Sequence, residues 1–564
     1  MAAMSKKASV MADVGKEGPG EIAAAAPVAE AEQGGGINKR ALVAVSCGLM
    51  LAMFVSSLDQ TIVSTALPTI VGDLGGVDHM LWVTTAYVLA STCMMPVYGK
   101  VGDLVGRKPL FIAALALFTL GSLVCAVGGS MAALIAGRAV QGLGGGGLMI
   151  LSQAIIADVV PARQRGMYMG VMGSVFAVSM IVGPLLGGWF TEVVGWRYIF
   201  WLNVPITLAA IVLAAVFLPK AKRNVAAFKF DTLGTALLMG GTVCLVLFTT
   251  VGGGSAGWAS PEALALAAAC VVCFVLFVLV ERRAEEPIMP PTLFKNKNFL
   301  VASAAGLLIM VAMMGTISYL PTYLQIVNGA SATESGYSML PTMIGMMVMS
   351  TVAGALASKT GRYKWMPIAS CFVAAVALVL MSTVAVDTSS IILYVYLFIL
   401  GFGMGLGQQI LVLVVQNEFP HAMVGTATSA NNYVREVGAT LGASVIGALF
   451  ASRLAEQLAG AGEALTSGGL DVNAITPAIV AQLPADIQLL VQNAYHDALV
   501  PIFLYLAPFL LAGAVLLLFL KENPLKESVE DPADETIAGV AASGDALKPE
   551  QPHVGRTAPV GARE

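Results

Sequence analysis

Charged residues are scarce in this 564-residue chain. Lys, Arg, Asp and Glu together make up only 11% of the sequence, whereas 57% is hydrophobic and the mean hydropathy is +0.82. A soluble globular protein carries about 25% charged residues. The shortage of charge excludes an ordinary soluble domain. It predicts an all-α polytopic membrane protein, because a helix satisfies its own backbone polar groups inside lipid.

The residues that build metal sites, disulfides and nucleotide sites are few or badly placed. The four histidines are scattered over loops and a tail, and the seven cysteines fall inside apolar runs. We therefore expect neither a metal site nor a disulfide. The sequence contains no G-x-x-x-x-G-K-[ST], so the chain has no ATP-binding P-loop of its own, and we expect no cofactor. No basic cluster with interleaved aromatic residues suggests nucleic-acid binding, and no cluster of catalytic side chains suggests a membrane-embedded enzyme.

About fourteen apolar runs are long enough to cross a bilayer. An even number of spans places both termini on one side. Lys and Arg concentrate in the alternate loops, such as those holding Lys100, Arg163 and Lys359. The positive-inside rule then puts both tails in the cytoplasm. The expected spans lie near 42–68, 80–98, 109–128, 131–157, 167–190, 198–218, 231–251, 262–281, 299–324, 333–357, 365–384, 389–417, 424–452 and 499–520.

An internal repeat relates the two ends of this series. The loop GKVGDLVGRKPLF (99–111) is similar to GALASKTGRYKWM (354–366), eight spans later. Two six-helix bundles separated by an extra helix pair give this offset. We therefore divide the chain into bundles at 41–220 and 299–522, with a two-helix insert at 221–298.

Three segments lie outside the spans in this division. Residues 1–40 and 523–564 are expected to be disordered cytoplasmic tails, because their composition gives no apolar core. Residues 453–498 form a long external loop, expected to hold short amphipathic helices on the outer surface.

One carboxylate, Asp59, interrupts the first apolar run, which we expect to close at Pro68. An ionised aspartate inside a bilayer costs about 2.5–3.5 kcal/mol on insertion scales. Ser56 and Gln60 share its helical face, which should therefore line a cavity or a partner helix.

Arg138 is the predicted partner of Asp59. It lies roughly 10 Å from the external end of the fourth span, and Asp59 roughly 13 Å from that of the first. The two charges are therefore at similar depth, and we expect them to couple directly, through Gln141 or through water.

A second group of polar residues lies near the middle of the thirteenth span. Arg435 and Glu436 are adjacent, so they must find separate partners. Either they form a structural interhelical pair or one of them belongs to a transport cavity. Weaker candidates for polar groups of that cavity are Gln60, Gln141, Tyr319, Tyr323, Gln408 and Asn432.

The loop after the second span resembles the G-x-L-a-D-r-x-G-R-K signature of the major facilitator superfamily. Gly99, Asp103, Gly106, Arg107 and Lys108 match it, while a leucine at 104 replaces the usual arginine. The resemblance implies the major facilitator fold with 14 transmembrane helices. It also makes this loop a conformational latch of the outward-facing state, with one charge contact weakened.

Two further motifs resemble those of the fourteen-span drug:proton antiporters. One is LDQTIVSTALPTI (58–70), and the other is SMIVGPLLGGW (179–189), in which Gly183, Pro184, Gly187 and Gly188 match the antiporter motif. The resemblance implies a multidrug exporter of the bacterial cell membrane, monomeric and driven by the proton gradient without ATP. Its partners would be protons, small lipophilic substrates and the lipid bilayer.

The same resemblance implies that Asp59, Arg138, Arg435 and Glu436 take part in proton coupling. It leaves open whether Asp59 carries protons alone or shares the task with Glu436. The sequence also leaves open the export of a lipid or an endogenous metabolite with the same coupling, for which the loop 453–498 is the only hint.

Overall fold

The computed structural model describes residues 39–76, 79–219, 230–253, 257–459, 480 and 483–527. Within these ranges the regular structure is helical and contains no strand. The helices, numbered here in chain order, are α1 Lys39–Leu74, α2 Met80–Val105, α3 Arg107–Val127, α4 Met131–Val159, α5 Ala162–Trp189, α6 Arg197–Phe217, α7 Thr232–Gly252, α8 Pro261–Glu281, α9 Lys297–Ile317, α10 Leu320–Val327, α11 Ala332–Ser338, α12 Leu340–Thr360, α13 Trp365–Met381, α14 Ser390–Glu418, α15 Val424–Ala459 and α16 Ala485–Leu518.

Thirteen helical segments of the described chain are long and apolar enough to cross a membrane. Two of them combine neighbouring helices, α9 with α10 and most of α11 with α12. The fourteenth apolar helix is α13, which at 17 residues is at the lower limit of a spanning length. The predicted all-α membrane fold is confirmed.

The helices pack as two groups and a pair. Helices α1 to α6 contact one another, α9 to α16 contact one another, and α7 packs on α8. The largest contacts between the groups are made by α5 with α12 and by α2 with α15. Both contacts include glycines: Gly354 lies against Gly170, and Gly99 lies against Gly425. A side chain at Gly354 or Gly99 would collide with the opposite group, so these glycines allow the backbones to approach closely.

The end of the bundle that carries Lys100, Arg163 and Lys359 is called the basic end below. Both glycine contacts lie toward this end, since Gly99 and Gly354 fall in the last two turns of α2 and α12. The two groups are therefore closed against each other at the basic end.

Two predicted boundaries are wrong. Helix α1 continues through Pro68 to Leu74, so the first span does not close at the proline. Helix α15 runs to Ala459 and α16 begins at Ala485, so much of the predicted external loop 453–498 consists of the ends of two long helices. The first three turns of α16 mix polar residues such as Asp486, Gln488 and Gln492 with apolar ones, which lowers hydropathy without preventing a helix. Residues 460–479 and 481–482 lie outside the described residues.

The start of the predicted C-terminal tail is held in place. The backbone N–H of Asn523 donates to Tyr363 Oη at 2.9 Å, and its side chain donates to Glu418 Oε1 at 2.8 Å. Further on, the N–H of Arg163 donates to the carbonyl oxygen of Lys526 at 3.0 Å. Residues 523–527 therefore connect the second group of helices to α5 at the basic end, whereas 528–564 lie outside the described residues. Of the predicted N-terminal tail 1–40, residues 1–38 also lie outside them, and Lys39 and Arg40 begin α1.

Candidate functional site

Asp59 lies midway along α1 and is completely buried. Its Oδ2 forms an ion pair with Arg138 of α4. Its Oδ1 accepts hydrogen bonds of 2.7 Å from Gln141 Nε2 and 2.7 Å from Asn203 Nδ2. The coupling predicted from depth is thus direct, and Gln141 supports the pair instead of bridging it. A buried ion pair is stable only when its remaining hydrogen-bonding capacity is filled in this way.

Sequence reasoning missed Asn203, which reaches the site from α6. Its amide also lies 3.3 Å from Ser122 Oγ, and its side chain is buried. A signal was present, because Asn203 is an amide inside a 21-residue apolar helix. Polar side chains inside spans usually face the bundle interior.

Tyr87 links the ion pair to a serine that lines a cavity in the interior of the protein. The guanidinium carbon of Arg138 lies 4.3 Å from the ring centroid of Tyr87, in a cation–π arrangement. The Tyr87 hydroxyl lies 3.0 Å from Ser56 Oγ. Ser56 lines the central cavity, whereas Asp59 does not. The predicted polar face of α1 is therefore divided: Ser56 and Gln60 face the cavity, and Asp59 faces α4 and α6.

The central cavity has a volume of about 150 Å³ and lies between the two groups of helices. Three of the predicted polar residues line it, namely Gln60, Gln408 and Asn432. Methionines dominate its apolar wall; they are Met53, Met95, Met149, Met310, Met313 and Met314. Unbranched thioether side chains adapt to ligands of different shape.

The other three predicted cavity residues do not line this cavity. Gln141 belongs to the buried network around Asp59. The hydroxyl of Tyr319 donates to the carbonyl oxygen of Ala443 at 2.7 Å, and that of Tyr323 lies 3.0 Å from His496 Nδ1. The expectation was wrong here because the α9–α10 junction directs both tyrosines toward α15 and α16.

Arg435 and Glu436 both lie on the wall of the cavity. Neither side chain makes a hydrogen bond or an ion pair within the described parts of the chain, and Arg435 Nη1 is buried without a partner. The interhelical structural pair considered above is therefore absent from this part of the chain. The arrangement leaves a cation and a carboxyl group facing a largely apolar space.

The motif after the second span connects the two groups of helices. Asp103 accepts hydrogen bonds from the backbone N–H groups of Gly425 (3.1 Å) and Thr426 (2.6 Å), at the first turn of α15. A carboxylate is favourable at a helix N-terminus. Arg107 holds Asp103 from the other side at 2.6 Å. Gly106, with φ of 105°, provides the turn between α2 and α3.

Two residues that the motif does not contain complete this contact. Arg107 also pairs with Asp158, at the end of α4. His421 Nε2 lies 3.0 Å from the same carboxylate. By contrast, Lys108 donates to the carbonyl oxygens at the end of α6, at 2.8 and 2.5 Å, and stays within its own group of helices.

The antiporter motif of α5 packs on α1 beside the buried pair. A Cβ atom at Gly183 would overlap the side chain of Thr61, and one at Gly187 would lie 3.0 Å from the carbonyl oxygen of Ile62. Pro184 lies between them inside the helix. Gly188 differs, because nothing lies within 4 Å of a Cβ at that position. The close approach of α5 to α1 therefore requires Gly183 and Gly187 but not Gly188.

Comparison with known proteins agrees with this architecture. The family model described as Major Facilitator Superfamily matches residues 49–443. An uncharacterized MFS-type transporter of Mycobacterium tuberculosis is 39% identical over 86% of this chain and 70% of its own length. The multidrug transporter protein MdtP of Bacillus subtilis is 35% identical over 88% of this chain and 96% of its own. The solved structure of the proton:xylose symporter XylE is similar to this chain with a TM-score of 0.57, over 87% of this chain and 98% of that one. At 13% sequence identity this similarity shows the fold alone.

These matches cover both groups of helices and the residues around Asp59 and Arg138. The chain therefore belongs to the Major Facilitator Superfamily, as a multi-pass membrane transporter and not an enzyme.

Proposed function

We propose that the protein is a secondary active exporter that exchanges protons for lipophilic, often cationic compounds by alternating access. The observation that carries this proposal is the buried Asp59–Arg138 pair, which is linked through Tyr87 and Ser56 to a central cavity. The names of relatives, multidrug transporter and multidrug resistance protein 3 in Bacillus subtilis, support a drug as the exported compound.

The basic end faces the cytoplasm in this proposal, and both termini lie there. Lys and Arg are enriched in cytoplasmic loops of membrane proteins. The described structure then has its cytoplasmic end closed by the contacts of Asp103 and by the glycine pairs between the groups. Export requires this end to open, so that a compound reaches the cavity from the cytoplasm or the inner leaflet. The protein acts as a monomer in the plasma membrane of a bacterial cell.

Asp59 carries the proton. Its carboxylate is held by one cation and two amide donors, so protonation removes the ion pair and weakens all three contacts together. Those donors lie on α4 and α6, and the motif of α5 packs against α1 two residues away, at Thr61. Neutralising Asp59 therefore loosens α1 from α4 and α6. Moving one charge through 100 mV is worth about 2.3 kcal/mol, enough to bias the change between two states.

Uptake of ethidium into everted membrane vesicles tests the proposal, because the transporter then moves compounds into an acidified lumen. Wild type should accumulate ethidium until nigericin collapses the pH gradient. Asp59→Asn, which keeps the shape but cannot titrate, should show no gradient-dependent accumulation. Asp73→Asn is the matched control, since Asp73 is an exposed carboxylate that accepts hydrogen bonds from Arg197 and Trp196 at the surface. Full activity of Asp59→Asn would remove Asp59 from the coupling.

A further inference from the structure

We infer that Arg435 is a binding subsite for an anionic group, so that the cavity takes lipophilic acids such as carboxylates and sulfonates. The inference rests on the proposed function and adds to its substrates a class, lipophilic acids, that the cavity binds more tightly than it binds cations such as ethidium. Arg435 is 4% exposed, lies on the cavity wall and has a buried Nη1 without a hydrogen-bond partner in the described chain. A buried polar group in this condition is unfavourable until a ligand supplies the missing acceptor.

The other buried arginines of the described chain all have partners. Arg138 pairs with Asp59, and Arg107 pairs with two carboxylates although its Nε is buried without a partner. Arg165 donates to two backbone carbonyl oxygens at 2.7 and 2.8 Å. Among these four described arginines, Arg435 alone makes no side-chain hydrogen bond or ion pair within the described chain, and it is the one that lines the central cavity. If Arg435 only stabilised the fold, we would expect its guanidinium to have protein partners like those of the other three arginines.

Glu436 does not supply the partner. It is the next residue on α15, and adjacent helical side chains point about 100° apart. No ion pair joins the two residues within the described chain. Nor can the amides beside Arg435 neutralise it, because Gln408, Gln409 and Asn432 are uncharged. Glu436 acts on the guanidinium electrostatically without bonding to it, so Arg435 Nη1 still lacks an acceptor that a ligand can supply.

The shape of the wall fits an amphiphile with one polar end. The stem of Arg435 lies flat against α9, because a Cβ at Gly306 would come within 2.9 Å of its Cγ. The same cavity is lined by the amides of Gln408, Gln409 and Asn432, and Gln409 Oε1 also lacks a partner within the described residues. Six methionines form its adaptable apolar surface. Arginine presents paired donors that match the oxygens of a carboxylate or sulfonate.

Two dansyl probes of opposite charge test this assignment. N-dansylglycine is an anion and dansylethylenediamine is a cation, and both carry the same fluorophore. Binding to purified protein in detergent is followed by dansyl fluorescence. Wild type should bind the anion at least tenfold tighter than the cation. Arg435→Gln should lose this preference, Arg435→Lys should keep part of it, and Glu436→Gln should bind the anion as tightly as wild type or tighter.

Controls separate a lost subsite from a damaged fold. Arg197→Gln removes an exposed arginine at the opposite end from the basic loops and should bind like wild type. Each variant's melting temperature and elution volume report folding. The preference of the wild-type protein for the anionic probe is measured without any variant. The inference therefore stays testable even if Arg435→Gln misfolds.

Equal binding of both probes by wild type, or unchanged anion binding by a folded Arg435→Gln, would overturn the inference. If everted vesicles still show proton-driven ethidium accumulation in that case, the proposed exporter stands without the anionic subsite. If the anion binds through Arg435 but no compound is moved by the pH gradient, the subsite stands and the proposed antiport fails.

Discussion

The carboxylate of Asp103 caps the first turn of α15, where it accepts a hydrogen bond of 2.6 Å from the backbone N–H of Thr426. This contact joins α2 of the first group of helices to the second group at the basic end. A hydrogen bond to a charged group contributes about 1.5–3 kcal/mol. Removing the Asp103 carboxylate should therefore shift the equilibrium from the closed state toward the open one.

We expect Asp103→Ala to increase the population open at the basic end by roughly tenfold or more, since 1.4 kcal/mol is a factor of ten. Spin labels at Met167→Cys and Trp365→Cys, both exposed and on opposite groups, measure this opening by double electron–electron resonance in a cysteine-free background. Lys108→Gln is the matched control within the same motif. Lys108 donates only to carbonyl oxygens at the end of α6. The distance distribution between the spin labels in Lys108→Gln should therefore stay like that of wild type.

Asn203→Ala should weaken proton coupling without preventing insertion. The variant leaves Asp59 Oδ1 with one amide donor in place of two, which costs about 1–3 kcal/mol for a buried charged acceptor. We expect a melting temperature several degrees lower and a several-fold slower gradient-driven accumulation of ethidium. Asn328→Ala, at an exposed position, should change neither quantity. Equal behaviour of the two variants would show that Asn203 does not hold the site.

Tyr87→Phe should slow proton exchange while leaving binding intact. The change removes the hydroxyl that lies 3.0 Å from Ser56 Oγ but keeps the ring beneath Arg138. Stopped-flow acidification with a pH indicator should show a slower rate and an unchanged amplitude. Tyr98→Phe is the comparison, because Tyr98 is also buried in α2 but lies away from the pair. Equal rates in the two variants would argue against the Tyr87 hydroxyl as a route for protons between the cavity and Asp59.

The antiporter motif contains its own control pair. Gly183→Ala should destabilise the protein by about 1–3 kcal/mol, because the added methyl group overlaps Thr61 of α1. Gly188→Ala should be tolerated, since the space around that position is open. Thermal unfolding of the two purified variants compares them directly. If Gly188→Ala is the more damaging of the two, the packing described for this motif is incorrect.

Much of the fold was predictable because its signals are local. Apolar runs of spanning length and a repeated loop predicted the helices and their grouping, and the depth of Asp59 and Arg138 predicted their contact. These inferences need only helical rise and bilayer thickness. The error at Pro68 has a local cause as well, since a proline inside a long, well-packed helix does not always end it.

The parts that were missed depend on helix rotation and on distant chain segments. Tyr319 and Tyr323 are predicted as cavity residues only because they are polar residues of the ninth span, but Tyr319 bonds to Ala443 of α15 and Tyr323 contacts His496 of α16. Asn203 meets Asp59 across 144 residues, and Asp158 meets His421 across two groups of helices. No periodicity within one span contains that information.

We propose that Asp59 carries the proton that is exchanged for substrate. Proton release by the purified, weakly buffered protein, measured with a pH indicator when ethidium or N-dansylglycine is added, tests it most directly. Wild type should release protons on binding. Asp59→Asn should bind the same probe, seen by its fluorescence, and release none, while Glu436→Gln shows whether the task is shared. Undiminished release from a folded, substrate-binding Asp59→Asn would contradict the account.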